Sequence, residues 1–282
     1  MLGLTEDLYI RYLEYIKLKT GVTFSHNGLS TLNNRLIPIL IKYKLENYKE
    51  LFYKLLEEKD EDLLNDFIDK VTTHHTYFYR EDTQFEILTQ KIFPEQKHQL
   101  EDLPEHKLKY WVAACSTGEE AYTVAMLLDA FFRVNQPCNC SIKILATDVS
   151  RRAIQTACHG EYRESVIEKL PSYLREQYTT KLQNGKSEIS PKIKRMIDFR
   201  VLNLLRKDFP FQGKFDIIFL RNVLIYFDDE TRDNLIGQLN DFLNYNGYLF
   251  IGLTESLLFN KFGLKQIYPS IYKKSIGHVE KN

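Results

Sequence analysis

The feature that most constrains the fold is an alternation of short apolar runs with helical stretches, which begins near residue 108. The apolar runs are bounded by polar turns and lie at 110–115, 142–147, 215–220 and 248–253. Strands that alternate with helices of about ten to fifteen residues are typical of βαβ units, in which helices cover both faces of a parallel sheet. The pattern predicts an α/β domain over residues 108–282, with a last hairpin strand at 266–274.

Residues 1–71 have a different pattern, in which apolar side chains recur at helical spacing and strand signals are almost absent. We expect Thr5 to cap the first helix, Gly21 to end it and Pro38 to kink the second helix. The sequence therefore predicts an N-terminal helical bundle over residues 1–71. A linker and a connecting helix should occupy residues 72–107.

The alternation of the larger domain is interrupted between residues 165 and 205. The pattern there predicts a helix over 166–181, a turn at Asn184-Gly185 and a strand over 197–202. We therefore expect a small inserted β subdomain at about 183–202. Seven basic and two acidic residues fall within 186–207, so this segment is locally positive, which favours either a solvated basic face or a surface for an acidic peptide.

The composition excludes several classes of protein. Lys plus Arg and Asp plus Glu both total 38, so counterion release would contribute little, and we expect no nucleic-acid partner. No apolar run approaches the roughly 18 residues that span a bilayer, and the N-terminus lacks the pattern of a signal peptide. Of the four cysteines, Cys138 and Cys140 are too close for the usual zinc spacing. We expect reduced thiols, a cytoplasmic location and no membrane insertion.

Polar residues follow the predicted strands, where ligands bind in open α/β sheets. The first loop, Ala113 to Glu120, has one glycine and two acids, which suits a cationic nucleoside better than a phosphate. Taken alone, the loop favours the simpler interpretation, in which the two acids serve the first turn of a helix. Asp148 ends the second strand, where it could accept ribose hydroxyls or cap the next helix. Arg221, Asn222 and Tyr226 follow a third strand and form a polar set typical of a ligand site.

The linker carries two adjacent histidines, His74 and His75. Adjacent side chains diverge and the sequence offers no third ligand nearby, so we predict no metal site. Arg80 follows three aromatic residues, and it could either pair with Glu81 or Asp82 or extend over the sheet.

Taken in order, these motifs resemble those of the chemotaxis-receptor glutamate O-methyltransferases, the CheR type. The resemblance covers nearly the whole chain, although each motif alone is weak. The matching stretches are 72–81, 114–122, 146–148, 160–162, 203–205, 215–228 and 246–256. It implies a helical N-terminal domain, followed by a Rossmann-like class I S-adenosylmethionine-dependent methyltransferase domain with an inserted β subdomain.

The resemblance implies S-adenosylmethionine as cofactor and S-adenosylhomocysteine as product. The cofactor-binding residues that it implies are His74, Thr76, Arg80, Glu120, Asp148, Asn203, Leu204, Arg221 and Asn222. Among these, Glu120 would hold the methionine ammonium, Asp148 the ribose, and Asn203 with Leu204 would border the adenine. The catalytic residues would be Arg80 and Tyr226, which would orient the acceptor carboxylate. This chain departs from the family at His74, where Asn is usual.

The implied activity is methyl transfer to glutamate side chains of chemoreceptor cytoplasmic domains, with a receptor tail peptide as a second partner at the β subdomain. A cofactor-binding regulator without methyl transfer is an alternative, for which His74 leaves room. A methyltransferase for RNA or small molecules would share the sheet, but the neutral charge and the linker motif count against it.

Overall fold

A computed structural model describes residues 3–23, 28–101, 106–134, 140–257 and 262–275. The N-terminal part of the described chain is helical and consists of α1 (Glu6–Thr20), α2 (Leu29–Lys42), α3 (Tyr48–Glu57) and α4 (Glu61–Val71). These helices bury a shared apolar core around Tyr12, Ile16 and Phe67. Gly21 ends α1 in the left-handed conformation as expected, whereas the side chain of Thr5 forms no capping hydrogen bond.

A long helical segment connects the two domains. It comprises α5 (Asp82–Ile87), a π-helical turn (Leu88–Ile92) and α6 (Phe93–Glu101). Its inward face contributes Phe85, Leu88 and Phe93 to the core on one face of the main sheet. Among the described residues, no helix combines the length and the apolar character needed to cross a bilayer.

The main sheet of the C-terminal domain has seven strands among the described residues: β1 (His106–Ala113), β2 (Cys140–Asp148), β6 (Ile197–Val201), β7 (Phe215–Leu220), β8 (Leu243–Ile251), β9 (Leu264–Tyr268) and β10 (Ile271–Lys274). Their spatial order is β6-β2-β1-β7-β8-β10-β9. The first five strands in spatial order pair in parallel, and the closing hairpin is antiparallel, so the predicted α/β class is confirmed. The chain order reverses between β1 and β7, which is where open sheets bind ligands.

Helices cover both faces of this sheet in the described chain. They include α7 (Glu119–Val134), α8 (Arg151–His159) and α12 (Asp229–Asp241). The short helices of the inserted segment are α9 (Glu164–Ile167), α10 (Ser172–Tyr178) and α11 (Pro191–Lys194). A short 3-10 turn (Leu224–Tyr226) precedes α12. On the face that packs against α12, Trp111 is fully buried and its indole N–H donates to the Thr147 hydroxyl at 2.9 Å.

The inserted subdomain differs from the expected one in two respects. The predicted helix 166–181 is wrong, because Pro171 lacks a backbone N–H and disfavours helical backbone at the preceding residue, so α10 begins only at Ser172. The predicted strand 197–202 belongs to the main sheet, where β6 pairs with β2 and buries Ile197. The small antiparallel sheet instead consists of β3 (Glu161–Arg163), β5 (Lys186–Ile189) and β4 (Thr179–Lys181).

The two domains meet closely at Gly21. A Cβ atom at this position would lie 2.8 Å from Phe227 and 2.9 Å from Leu205, both of which belong to the C-terminal domain. The backbone φ of +75° also disfavours any side chain here. Lys17 on α1 pairs with Asp228 at 2.5 Å, beside the same contact.

We expect Gly21→Ala to destabilise the protein more than Gly185→Ala. Both glycines have left-handed backbones, which cost a side chain about 1–2 kcal/mol, but a Cβ at Gly185 (φ +73°) meets nothing within 4 Å. Urea unfolding of both variants measures the difference, which should exceed about 1 kcal/mol because Phe227 or Leu205 must move. Equal losses would mean that the contact between the domains at Gly21 tolerates a methyl group.

Candidate cofactor and catalytic site

A cavity of about 930 Å³, counted with its open mouth, lies at the carboxyl ends of β1, β2, β6 and β7. All ten residues that the sequence analysis selected line it: His74, Thr76, Arg80, Glu120, Asp148, Asn203, Leu204, Arg221, Asn222 and Tyr226. The N-terminal domain contributes Thr20 and Val22, which the sequence analysis missed. The helical domain therefore forms part of the wall around this site.

Asp148 ends β2 and is held by two backbone amides. The N–H of Ser116 donates to one carboxylate oxygen at 2.8 Å, and the N–H of Ser150 donates to the other at 2.9 Å. Burial raises the pKa of Asp148, while these amides and nearby His74 oppose the shift. An ionised carboxylate offers about four lone pairs. The group therefore retains acceptor capacity after binding the two amides.

The loop after β1 has an unusual backbone that places the Ser116 amide on Asp148. Ala114 and Ser116 have φ values of 57° and 50°, and Gly118 has 98°. A side chain at Gly118 would meet Ala157 at 2.8 Å, so the loop packs closely on α8. Left-handed backbone at non-glycine residues is rare and is often found at functional sites.

Arg221, immediately after β7, has a side chain that is only 1% exposed. It donates to Glu120 at 2.5 Å, to Glu81 at 3.1 Å and to the Arg80 carbonyl, and it lies 4.9 Å from the ring centre of Phe85. Burial raises the pKa of Glu120, and the charge of Arg221 opposes that shift. Arg221 therefore binds protein groups, although its buried Nε has no protein partner within the described chain.

The adjacent residue, Asn222, is held by two carboxylates that the sequence analysis did not select. Its side-chain amide donates to Glu81 at 2.8 Å, and its backbone N–H donates to Glu255 at 3.0 Å. Glu255 also accepts from the N–H groups of Gly252 and Ile225. Glu255 follows the end of β8, so its position after a strand was the signal that could have identified it.

Glu81 connects the linker to the sheet and was also missed. Its carboxylate accepts from Arg221, Asn222 and the Leu253 N–H, and its backbone is left-handed with φ 58°. Its place in the matching stretch 72–81, which ends before Asp82, was the signal that could have identified it.

The two residues predicted to be catalytic differ in how they are held. Arg80 donates to the His75 carbonyl at 2.9 Å and lies 5.8 Å from the ring centre of Tyr77; among the described residues it forms no ion pair. Tyr226 is anchored through its backbone, because its carbonyl accepts from both the N–H and the hydroxyl of Thr23. Both side chains therefore reach the cavity from well-positioned backbone.

Asn203, Leu204 and His74 have structural contacts as well. The Asn203 amide donates to the Lys19 carbonyl at 2.6 Å, and its oxygen accepts from the Leu205 N–H, so it joins the domains. Leu204 is buried and forms an apolar part of the wall. The ring of His74 hydrogen-bonds the Thr72 hydroxyl at 2.9 Å. Within the part of the chain that the structure describes, no cluster could hold a metal; Cys138 lies outside that part.

The cavity has the chemistry of a site for a nucleoside with cationic groups. Glu120 and Asp148 line the cavity, and carboxylates can bind an ammonium group or hydroxyls. Leu204 and Val149 supply apolar surface for a flat base. The residues present therefore fit S-adenosylmethionine.

Comparisons with known proteins agree with this fit. Residues 74–270 match the family model described as CheR methyltransferase, SAM binding domain, and residues 7–72 match the CheR methyltransferase, all-alpha domain. The chain is 37% identical over 274 residues to a chemotaxis protein methyltransferase of Borreliella burgdorferi, covering 97% of this chain and 96% of that protein. It is 30% identical to the chemotaxis protein methyltransferase Cher2 of Pseudomonas putida, covering 86% of this chain and 88% of the relative.

These matches cover both domains of the chain. The helical domain matches the all-alpha domain of CheR methyltransferases, and the domain with the main sheet matches their SAM binding domain. The chain therefore belongs to the CheR family of S-adenosylmethionine-dependent chemotaxis methyltransferases.

Proposed function

We propose that this enzyme transfers the methyl group of S-adenosylmethionine to glutamate carboxylates in the cytoplasmic domains of chemoreceptors, and that it acts in the cytoplasm. The observation that carries the proposal is that Arg80 lines the cavity and forms no ion pair with any acid of the described chain. Arg221, in contrast, is already paired with Glu81 and Glu120. A substrate carboxylate would supply the missing partner.

The acceptor needs no general base. Glutamate has a reference pKa of about 4.3, so its side chain is a nucleophilic anion at neutral pH. S-adenosylmethionine, when bound, supplies an electrophilic methyl group. The chain therefore has to bind and orient the carboxylate and to exclude water, and it does not have to move a proton.

Arg80 and Tyr226 are the groups that would orient the acceptor. Arg80 can donate two parallel hydrogen bonds to a carboxylate, and Tyr226 can donate a third through its hydroxyl. Thr20 and Val22 extend the wall of the cavity and would reduce the access of water.

Asp148→Ala is expected to weaken the binding of S-adenosylhomocysteine by about 1.5–3 kcal/mol, the range for a hydrogen bond to a charged group. Calorimetric titration measures this loss. Asp129→Ala is the matched control, because Asp129 is also a largely buried acid but pairs with Lys192 and Tyr178. An Asp148 variant that binds as tightly as the unmodified protein would remove its ribose role.

Arg80→Ala and Tyr226→Phe should each lower methyl transfer by about tenfold or more while they change cofactor affinity less, because poor orientation slows transfer. The measurements are transfer of labelled methyl to receptor fragments and titration with S-adenosylhomocysteine. Tyr245→Phe, at a site 62% exposed, is the control for the loss of a hydroxyl. Equal losses of rate and affinity would identify both residues as cofactor-binding groups.

The same transfer assay decides between an enzyme and a regulator. The alternative of a cofactor-binding protein without turnover predicts binding of S-adenosylhomocysteine but no labelled receptor. The proposal predicts both.

We also propose that an acidic receptor tail pairs with the edge of the small sheet, where Thr180 and Lys181 on β4 are exposed. Much of the local positive charge is already paired, since Lys192 binds Asp129 and Lys194 binds Glu188, both at 2.7 Å. Main-chain pairing would therefore supply most of the affinity.

For the tail, Arg195→Glu should weaken the binding of acidic tail peptides at low salt by a few-fold, because Arg195 is exposed and forms no ion pair within the described chain. Lys265→Glu, on β9 of the main sheet, is the control. Titrations across a salt series provide the measurement, and absence of peptide binding at low salt would refute the tail site.

A further inference from the structure

Asp69 is a largely buried carboxylate that does not line the cavity. It lies in the last turn of α4 in the N-terminal domain, and its side chain is 12% exposed. It accepts a hydrogen bond from the Ser150 hydroxyl at 2.7 Å and lies 3.6 Å from Nε2 of His74. Asp69 therefore contacts both the loop after β2 and the linker, which carry predicted cofactor-binding residues.

Ser150 connects Asp69 to Asp148. It is fully buried, its hydroxyl donates to Asp69, and the same hydroxyl accepts from the Ala153 N–H at 3.0 Å as the cap of α8. Its backbone N–H donates to Asp148 at 2.9 Å. Because Asp69 fixes the hydroxyl of Ser150, it also fixes the backbone amide that orients one oxygen of Asp148.

The position of Asp69 in its helix is unfavourable for an acid. The carboxyl end of a helix carries partial negative charge, so a carboxylate in the last turn is destabilising there. Arg152, whose Nη1 lies 3.8 Å from Asp69, offsets part of this repulsion. A residue that opposes the local preference of its helix points to a role outside that helix.

We propose that Asp69 is a positioning residue for the ribose site, acting through Ser150 on Asp148. The N-terminal domain would thus contribute to cofactor affinity without touching the cofactor through this residue. The inference rests on the proposed ribose role of Asp148.

The test is calorimetric titration of the full chain with S-adenosylhomocysteine. Asp69→Ala should weaken binding about tenfold, and Ser150→Ala should weaken it to a similar extent. The double variant should be no weaker than either single variant, because both residues belong to one connection. Asp66→Ala is the matched control, since Asp66 lies one turn earlier on α4 and pairs with Lys42 and Tyr43. Thermal melting establishes that each variant is folded.

A second probe separates positioning from a general structural effect. An analogue of S-adenosylhomocysteine without ribose hydroxyls should bind the Asp69 variant and the unmodified protein equally. Equal loss for both ligands, or additive losses in the double variant, would overturn the inference. If Asp148→Ala binds normally, the proposed ribose role fails; if it binds weakly while Asp69→Ala binds normally, only the role of Asp69 fails.

Discussion

The arrangement of the site depends on the buried guanidinium of Arg221. It joins the end of β7 to Glu120 on α7 and to Glu81 and the Arg80 carbonyl in the linker. Without this cation, the two carboxylates would face each other inside the protein, and removing one partner from a buried ion pair costs about 3–5 kcal/mol. The same interaction fixes the backbone from which Arg80 extends. Arg221, which the family resemblance implied as a cofactor-binding residue, thus also holds the linker on the sheet.

Four residues in or beside the cavity wall have left-handed backbone. Glu81, Ala114, Ser116 and Asn222 all have positive φ values, and each such residue costs about 1–3 kcal/mol. Carboxylates stabilise these conformations by accepting nearby amides, as Asp148 does for Ser116 and Glu255 for Asn222. The acids therefore organise the backbone as well as provide charge to the cavity.

The sequence predicts those features that depend on periodicity and on strand ends. The parallel strands and the helical bundle follow from periodicity, and polar residues after the strands, such as Asp148 and Arg221, meet at the cavity because strand ends lie at one edge of the sheet. The site roles of His74, Thr76, Asn203 and Leu204 came from the family resemblance and not from such a pattern. The predictions failed where a local pattern had two outcomes. The segment 197–202 has strand character in either sheet, and pairing with β2 is a long-range contact. Glu81 and Asp69 were missed because their roles depend on partners 140 and 81 residues away in sequence.

The contacts between α1, α4 and the strand-end loops have a consequence for how such chains can be recombined. The Lys19 carbonyl, Thr23 and Asp69 complete the hydrogen bonding of Asn203, Tyr226 and Ser150. A catalytic half that began at the linker would lack these partners and would expose Phe227 and Leu205 to water. Exchanging the helical half between relatives would therefore succeed only where both halves carry matching contacts, and the two halves are expected to be inherited as one unit.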